Sequence, residues 1–367
     1  MIGLDEVRTP ALLVDVDRLD ANIADLAGRY RAAGVALRPH VKTSKCWNVA
    51  ERQLAAGAIG FTCSTPAEIA WLRDQGVADL LWAQPPVGPV KIEFVLSTIR
   101  DSGPFLVALD SVEAARPLAA AAVAAGLVVP FLIEVNSGQA RAGVEPNRIA
   151  QLADEVSSLD GIELRGIMTH EGHLSRHGHD RAALERAGRD VGALMVESGR
   201  LLRAAGHRID IISVGSTPGA TSAPLVPGVT EARPGTYVYY DANQTRLGST
   251  TLDHCALTVL ARVISTQRAG IAIIDAGVKA TSSDSLGAAG NLGIICDVEG
   301  NPLPDVVFAD GNEEHGFLNG VGTARMAVGD LVRIVPNHAC GTTNMFSRLL
   351  AVRNDSVDAT WPISARY

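Results

Sequence analysis

From residue 35 to about residue 235 the chain alternates short apolar, β-branched runs with longer amphipathic segments, and this alternation limits the fold more than any other feature. Eight runs read as strands: VALRPHV (35–41), AIGFTCS (58–64), DLLWAQ (79–84), PFLVALD (104–110), VPFLIEVN (129–136), IELRGIMTH (162–170), IDIISVG (209–215) and TEARPGTY (230–237). Segments with helical spacing lie between most of them, among them CWNVAERQLAAG (46–57), PAEIAWLRDQG (66–76), VEAARPLAAAAVAAG (112–126) and PNRIAQLADEVSSL (146–159). Strands that alternate with helices build right-handed βαβ units around a parallel sheet. Eight such units, with no GxGxxG after the first strand, predict a (β/α)8 barrel of the TIM type and not a dinucleotide-binding sheet.

Beyond residue 250 the texture changes. CALTVLARVIS, AGIAIIDAG, GIICDVEG, DVVFAD, GDLVRIVPNH and LLAVRNDSVDATWPI are strand-like runs separated by turn residues, which predicts a C-terminal antiparallel β domain. The expected division is therefore an N-terminal strand (1–16) joining the β domain, a barrel (17–240) and the β domain itself (241–367). A formal charge of −8 speaks against nucleic acid or an anionic membrane as partner. The five cysteines, at 46, 63, 255, 296 and 340, form no close-spaced pair and suit a reducing cytoplasm. No basic segment followed by an apolar core opens the chain, so no signal peptide is expected. No apolar run reaches the roughly 18 residues of a membrane span.

A barrel takes its functional groups from the C-terminal ends of its strands. Those ends read Lys42, Cys63 and Ser64, Gln84, Asp110, Asn136, His170, Gly215 to Thr217, and Arg233. Lys42 is either an ion-paired rim lysine or an amine able to form a Schiff base; Lys45, a turn further on, is expected to face solvent. The turn in SVGSTPGA (213–220) offers backbone N–H groups and the hydroxyls of Ser216 and Thr217 to an anion, and RPGTYVYYD (233–241) offers a second glycine turn. Arg141 is either a surface charge or a planar fork for a phenolate or carboxylate. Of the four histidines in MTHEGHLSRHGH, His170 and His173 are best placed for a ring contact or proton transfer. His338 and Cys340, two apart at the end of a strand run, point to one face and read either as a metal pair or as a buried cysteine beside a core histidine.

Taken together, TPALLVDVDRLDANI, RPHVKTSK, QARAG, MTHEGH, SVGSTP, RPGTYVYYDANQ, DAGVKA, EEHG and PNHAC resemble, in order and spacing, the fold-type III pyridoxal-phosphate enzymes. Within them the chain resembles the D-threonine aldolase and D-serine dehydratase-like group. The resemblance implies an alanine racemase-like barrel followed by a β domain, assembled as a homodimer. It implies that Lys42 holds pyridoxal phosphate covalently, with His40 and Thr43 around it, Arg141 on the phenolic oxygen and His170 against the ring. Gly215, Ser216 and Thr217, with Gly235, Thr236 and Tyr237, match the phosphate site, and Arg233 matches a strand-end position near the ring nitrogen. His338 and Cys340 match the group's pair for a divalent metal (manganese, zinc or magnesium). The substrate implied is a small D-β-hydroxy-α-amino acid.

Two outcomes are open to such a site. Retro-aldol cleavage gives glycine and an aldehyde; elimination of the hydroxyl gives a keto acid and ammonia. His173 matches the second histidine of the aldolases' His-x-Gly-His and favours D-threonine aldolase. Cys340 points the other way, to the D-serine or D-3-hydroxyaspartate dehydratases. The expectation taken forward is the aldolase, with the dehydratase as its alternative.

Overall fold

The computed structural model describes residues 2–284 and 291–366, which form two compact units. One comprises Leu26–Lys42 and Gln53–Gly235; the other comprises the chain up to Asp25, Thr43–Arg52 and Thr236–Arg366.

The first unit carries the expected barrel. All eight strand runs contain a strand, and neighbours pair in parallel in sequence order. The strands are Ala36–Leu37, Phe61–Cys63, Leu80–Trp82, Leu106–Leu109, Val129–Glu134, Ile162–Met168, Ile211–Val214 and Glu231–Ala232. The ring closes between the first and second strands through Ile59 N–H to the Leu37 carbonyl (2.9 Å) and Thr62 N–H to the Pro39 carbonyl (2.8 Å). Closure leaves no unpaired sheet edge, the condition under which short strands are stable. The expected helices are present as Trp47–Ala55, Pro66–Asp74, Val112–Ala125 and Ile149–Ser157. The second begins where its sequence says: Thr65 accepts from the Glu68 N–H, with Pro66 in the first turn. The helix Val112–Ala125 stops at Gly126, whose φ of +66° is the left-handed conformation that glycine adopts without strain.

Leu81, Leu106, Ala108, Leu132 and Met168 pack inside the ring. The last strands add a buried ionic chain that the sequence reading did not foresee. Arg38 is 2% exposed, and its Nε donates to Glu231 at 2.8 Å. Glu231 also accepts from Ser213 Oγ at 2.7 Å, and Ser213 Oγ accepts from Arg233 Nε at 2.8 Å. Glu231 and Asp79 hold the Arg38 guanidinium firmly protonated despite the cost of burying it.

The second unit is a ten-stranded sheet, antiparallel except where Arg348–Arg353 runs parallel to Ala11–Asp15. The long strand Leu257–Arg268 pairs with Ala11–Asp15, Ile271–Ile274 and Leu331–Pro336, which rolls six of the strands into a closed barrel. Strand Gly316–Asn319 escaped the sequence reading because it is four residues long with Gly and Asn at its ends. Pro302–Gly311 buries Val306 and Phe308 on alternate positions, the period of a half-buried strand.

Replacing Glu231 with Gln leaves the buried Arg38 short of half its countercharge. The variant is expected to lose about 3 kcal/mol of stability, read as a lower urea midpoint at unchanged slope.

Candidate functional site

Every barrel strand ends on the same side, and the residues just past those ends enclose a cavity of about 330 Å3. Lys42, Ser64, Gln84, His170 and Arg233 line it, as the strand-end reading expected, whereas Cys63, Asp110 and Asn136 do not; His40, Arg141 and Glu134 join them. Lys42 lies in a single 3-10 turn, Val41–Thr43, directly after the first strand. Its own N–H donates to His40 Nδ1 at 3.4 Å, which leaves His40 Nε2 to donate to Ser64 Oγ at 3.2 Å. Burial, reinforced by Lys42 and Arg233, pushes the His40 imidazole well below its usual range, so the ring is neutral.

His170 donates from Nδ1 to the Gly215 carbonyl at 2.7 Å. Its other nitrogen is therefore an acceptor. Burial, then the charges of Lys42, Arg141 and Arg233, push this imidazole down to about 3. Arg141 is more than half exposed, with Nη2 3.9 Å from Glu134. Arg233 is buried: Nε donates to Ser213, and Nη2 donates to the Thr169 carbonyl. Glu134 was missed although a carboxylate inside the apolar run PFLIEV was a visible signal; burial raises its pKa and Arg141 opposes the rise.

The turn expected to hold an anion follows the seventh strand. Gly215 is required there, because a Cβ would sit 2.6 Å from Arg233 Cβ. Ser216 donates to Glu171 Oε1 at 3.2 Å and accepts from Gly219 N–H at 3.1 Å. The buried Thr217 hydroxyl has no hydrogen-bond partner among the described residues. An orphaned buried hydroxyl in a glycine turn, an amine and a neutral imidazole acceptor fit a planar, phosphorylated aldehyde. His173 lies elsewhere. It is not among the cavity's lining, its ring sits over the Gly138 backbone, where a Cβ would meet Nε2 at 3.1 Å, and its buried Nδ1 has no hydrogen-bond partner among the described residues. His177 and His179 are exposed.

The second unit holds the imidazole–thiol pair, by a different geometry from the one expected. Leu331–Pro336 ends before it, His338 caps the helix Ala339–Met345 and Cys340 lies in its first turn. The two are brought together by a helix start and not by strand alternation. The Cys340 thiol, hydrogen-bonded to the ring, and the carboxylates of Asp241 and Asp284 raise the His338 imidazole to about 10. Asp284 Oδ2 is 3.1 Å from His338 Nδ1. Thr43 Oγ1, next in sequence to Lys42, lies 3.1 Å from Cys340 Sγ, and Thr236 Oγ1 lies 3.6 Å from it. Tyr237, beside Thr236, is fully buried, and Gly235 precedes them in the chain. Asp241 secures the helix start by accepting the Ala339 N–H at 3.0 Å. Among the described residues no three His, Cys, Asp or Glu groups form a metal-holding cluster. The pair therefore fits a divalent ion whose remaining ligands are water or substrate oxygens. Lys45, expected to face solvent, is buried instead: its φ of +45° reverses the chain, and Nζ donates to the Ala365 carbonyl at 2.8 Å.

The unfolded chain takes up a proton on His170 near its ordinary value, the folded chain only near 3. Between those values the unfolded state binds more protons, so stability falls as the pH drops from about 6.5 toward 3. His170→Asn is expected to flatten that part of the curve, measured as denaturation midpoint against pH in the cofactor-free protein.

Residues 14–243 match the family described as "Alanine racemase, N-terminal domain", and residues 256–352 match the "Putative serine dehydratase domain". The chain is 37% identical to D-threo-3-hydroxyaspartate dehydratase of Delftia sp. (strain HT23), over 96% of each chain. It is 31% identical to D-threonine aldolase of Arthrobacter sp., over 99% of this chain and 94% of that one. A solved structure of a cysteine-to-alanine variant of D-threo-3-hydroxyaspartate dehydratase, in the metal-free form, superposes with a TM-score of 0.92 at 34% identity, covering 99% of each chain. No helix among the described residues is long and apolar enough to cross a membrane. With a barrel of parallel strands, a closed antiparallel β unit and these relatives over nearly its whole length, the chain belongs to the fold-type III pyridoxal-phosphate family of alanine racemase-like enzymes.

Proposed function

We propose that this protein is a pyridoxal-phosphate- and divalent-metal-dependent lyase of D-β-hydroxy-α-amino acids, and that it eliminates the β-hydroxyl to give a keto acid and ammonia. The observation that carries the choice is the His338–Cys340 pair at the start of one helix. A thiolate beside an imidazole selects a zinc-like ion over harder cations. Such an ion, held by His338 and Cys340, would supply Lewis acidity toward a hydroxyl oxygen. The 37% identity to a hydroxyaspartate dehydratase, and the metal-free state of a cysteine variant of such an enzyme, support the same reading.

Bound pyridoxal phosphate supplies an electron sink for the pair left at Cα. The chain's own residues do the rest. Lys42 would hold the cofactor and would serve as the amine that takes the Cα proton. The neutral His170 would pack against the cofactor's ring, Arg141 would bind its phenolic oxygen, and Arg233 would face its ring nitrogen. The Gly215–Thr217 turn would bind the phosphate, a role that the resemblance also implies for Gly235, Thr236 and Tyr237. The family likeness supports assembly as a homodimer.

A retro-aldol reaction is the second reading. His173 favours it: its buried Nδ1 has no hydrogen-bond partner among the described residues, and the 31% identical relative is an aldolase. Against it, His173 is absent from the cavity's lining. The two separate by product. With pyridoxal phosphate and zinc or manganese, D-threo-3-hydroxyaspartate, D-serine and D-threonine are expected to release ammonia and keto acid; glycine and aldehyde as main products would reverse the choice.

Two variants check the residue roles. Lys42→Ala is expected to abolish the bound cofactor's visible absorbance, and colour that persists would remove Lys42 from its role. Cys340→Ala is expected to keep the colour while losing bound metal and at least about 100-fold in kcat; metal analysis beside the assay reads both.

A further inference from the structure

We infer that Glu171 is the positioning residue of the phosphate-binding turn. The inference rests on the reading above that the Gly215–Thr217 turn holds the cofactor phosphate. Glu171 is wholly buried. Its Oε2 accepts the Gly215 N–H at 2.9 Å and its Oε1 accepts the Ser216 hydroxyl at 3.2 Å. Its neighbour His170 donates to the Gly215 carbonyl at 2.7 Å. Two consecutive residues at the end of the sixth strand thus hold both polar groups of one glycine at the end of the seventh. Ser216 relays the hold by accepting the Gly219 N–H at 3.1 Å, which closes the turn.

A carboxylate stripped of water is costly, and one beside a bound dianion is costlier still. Its bonds account for its presence: they hold the turn in the shape that a phosphate needs before the phosphate arrives. They also divide the labour of the two hydroxyls. Ser216 spends its proton on Glu171, which leaves Thr217, buried and unpartnered among the described residues, as the hydroxyl turned to the ligand.

The test compares binding of pyridoxal phosphate with binding of pyridoxal, which lacks the phosphate, to cofactor-free protein by absorbance or fluorescence titration. Glu171→Gln keeps the shape and one acceptor oxygen. It is expected to weaken pyridoxal phosphate by about 10- to 100-fold, the worth of hydrogen bonds to a charged group, and to leave pyridoxal within about twofold. Adding Ser216→Ala to Glu171→Gln is expected to cost less than the sum of the two single losses, because the two residues share one interaction while Ser216 also holds the Gly219 N–H. Equal losses for both ligands, no loss for pyridoxal phosphate, or fully additive losses in the double variant would overturn the inference. A wild-type protein that binds both ligands equally would instead overturn the phosphate reading on which it rests.

Discussion

The barrel depends on a chain of buried charge that runs from Arg38 through Glu231 and Ser213 to Arg233. These residues come from the first, seventh and eighth strands or their ends. Removing any partner leaves a desolvated charge without its counterpart, so the network tolerates only the arrangement in which all are satisfied. That arrangement fixes where Arg233 lies. Because Arg233 packs where a Gly215 side chain would be, it also dictates a glycine in the turn after the seventh strand. A structural device inside the barrel thereby shapes the chemical one at its mouth.

Neutrality is the second theme. His40 and His170 are both held uncharged by burial among Lys42, Arg141 and Arg233. Each ring's tautomer follows from one hydrogen bond, Lys42 N–H to His40 Nδ1 in one case and His170 Nδ1–H to the Gly215 carbonyl in the other. A cluster of cations with neutral imidazoles between them suits a ligand that brings several negative charges. The imidazole–sulfur pair follows the opposite logic: the Cys340 sulfur, as thiolate, and two carboxylates around His338 favour a positive charge at that place.

The eight parallel strands and the antiparallel second unit were legible in the sequence, because hydrophobic period and turn residues are local signals. Lys42, His170 and Arg141 were legible as candidates for a related reason. In this architecture the functional positions are strand ends, which a linear reading can locate. Glu134, Glu171, Asp284 and the Arg38 network were not found, since each acquires meaning from partners between 7 and 193 residues away.

The sequence by itself determined the order of strands and helices, the change of texture near residue 250, and which side chains stand at the mouth of the barrel. The tertiary structure alone decided which of them meet. It turned Lys45 inward, set His173 over Gly138 and away from the cavity, and brought His338 to Cys340 through a helix cap. The physical reason is that periodicity encodes which face of an element is apolar, whereas the direction of a polar side chain depends on hydrogen-bond partners that only the closed fold supplies.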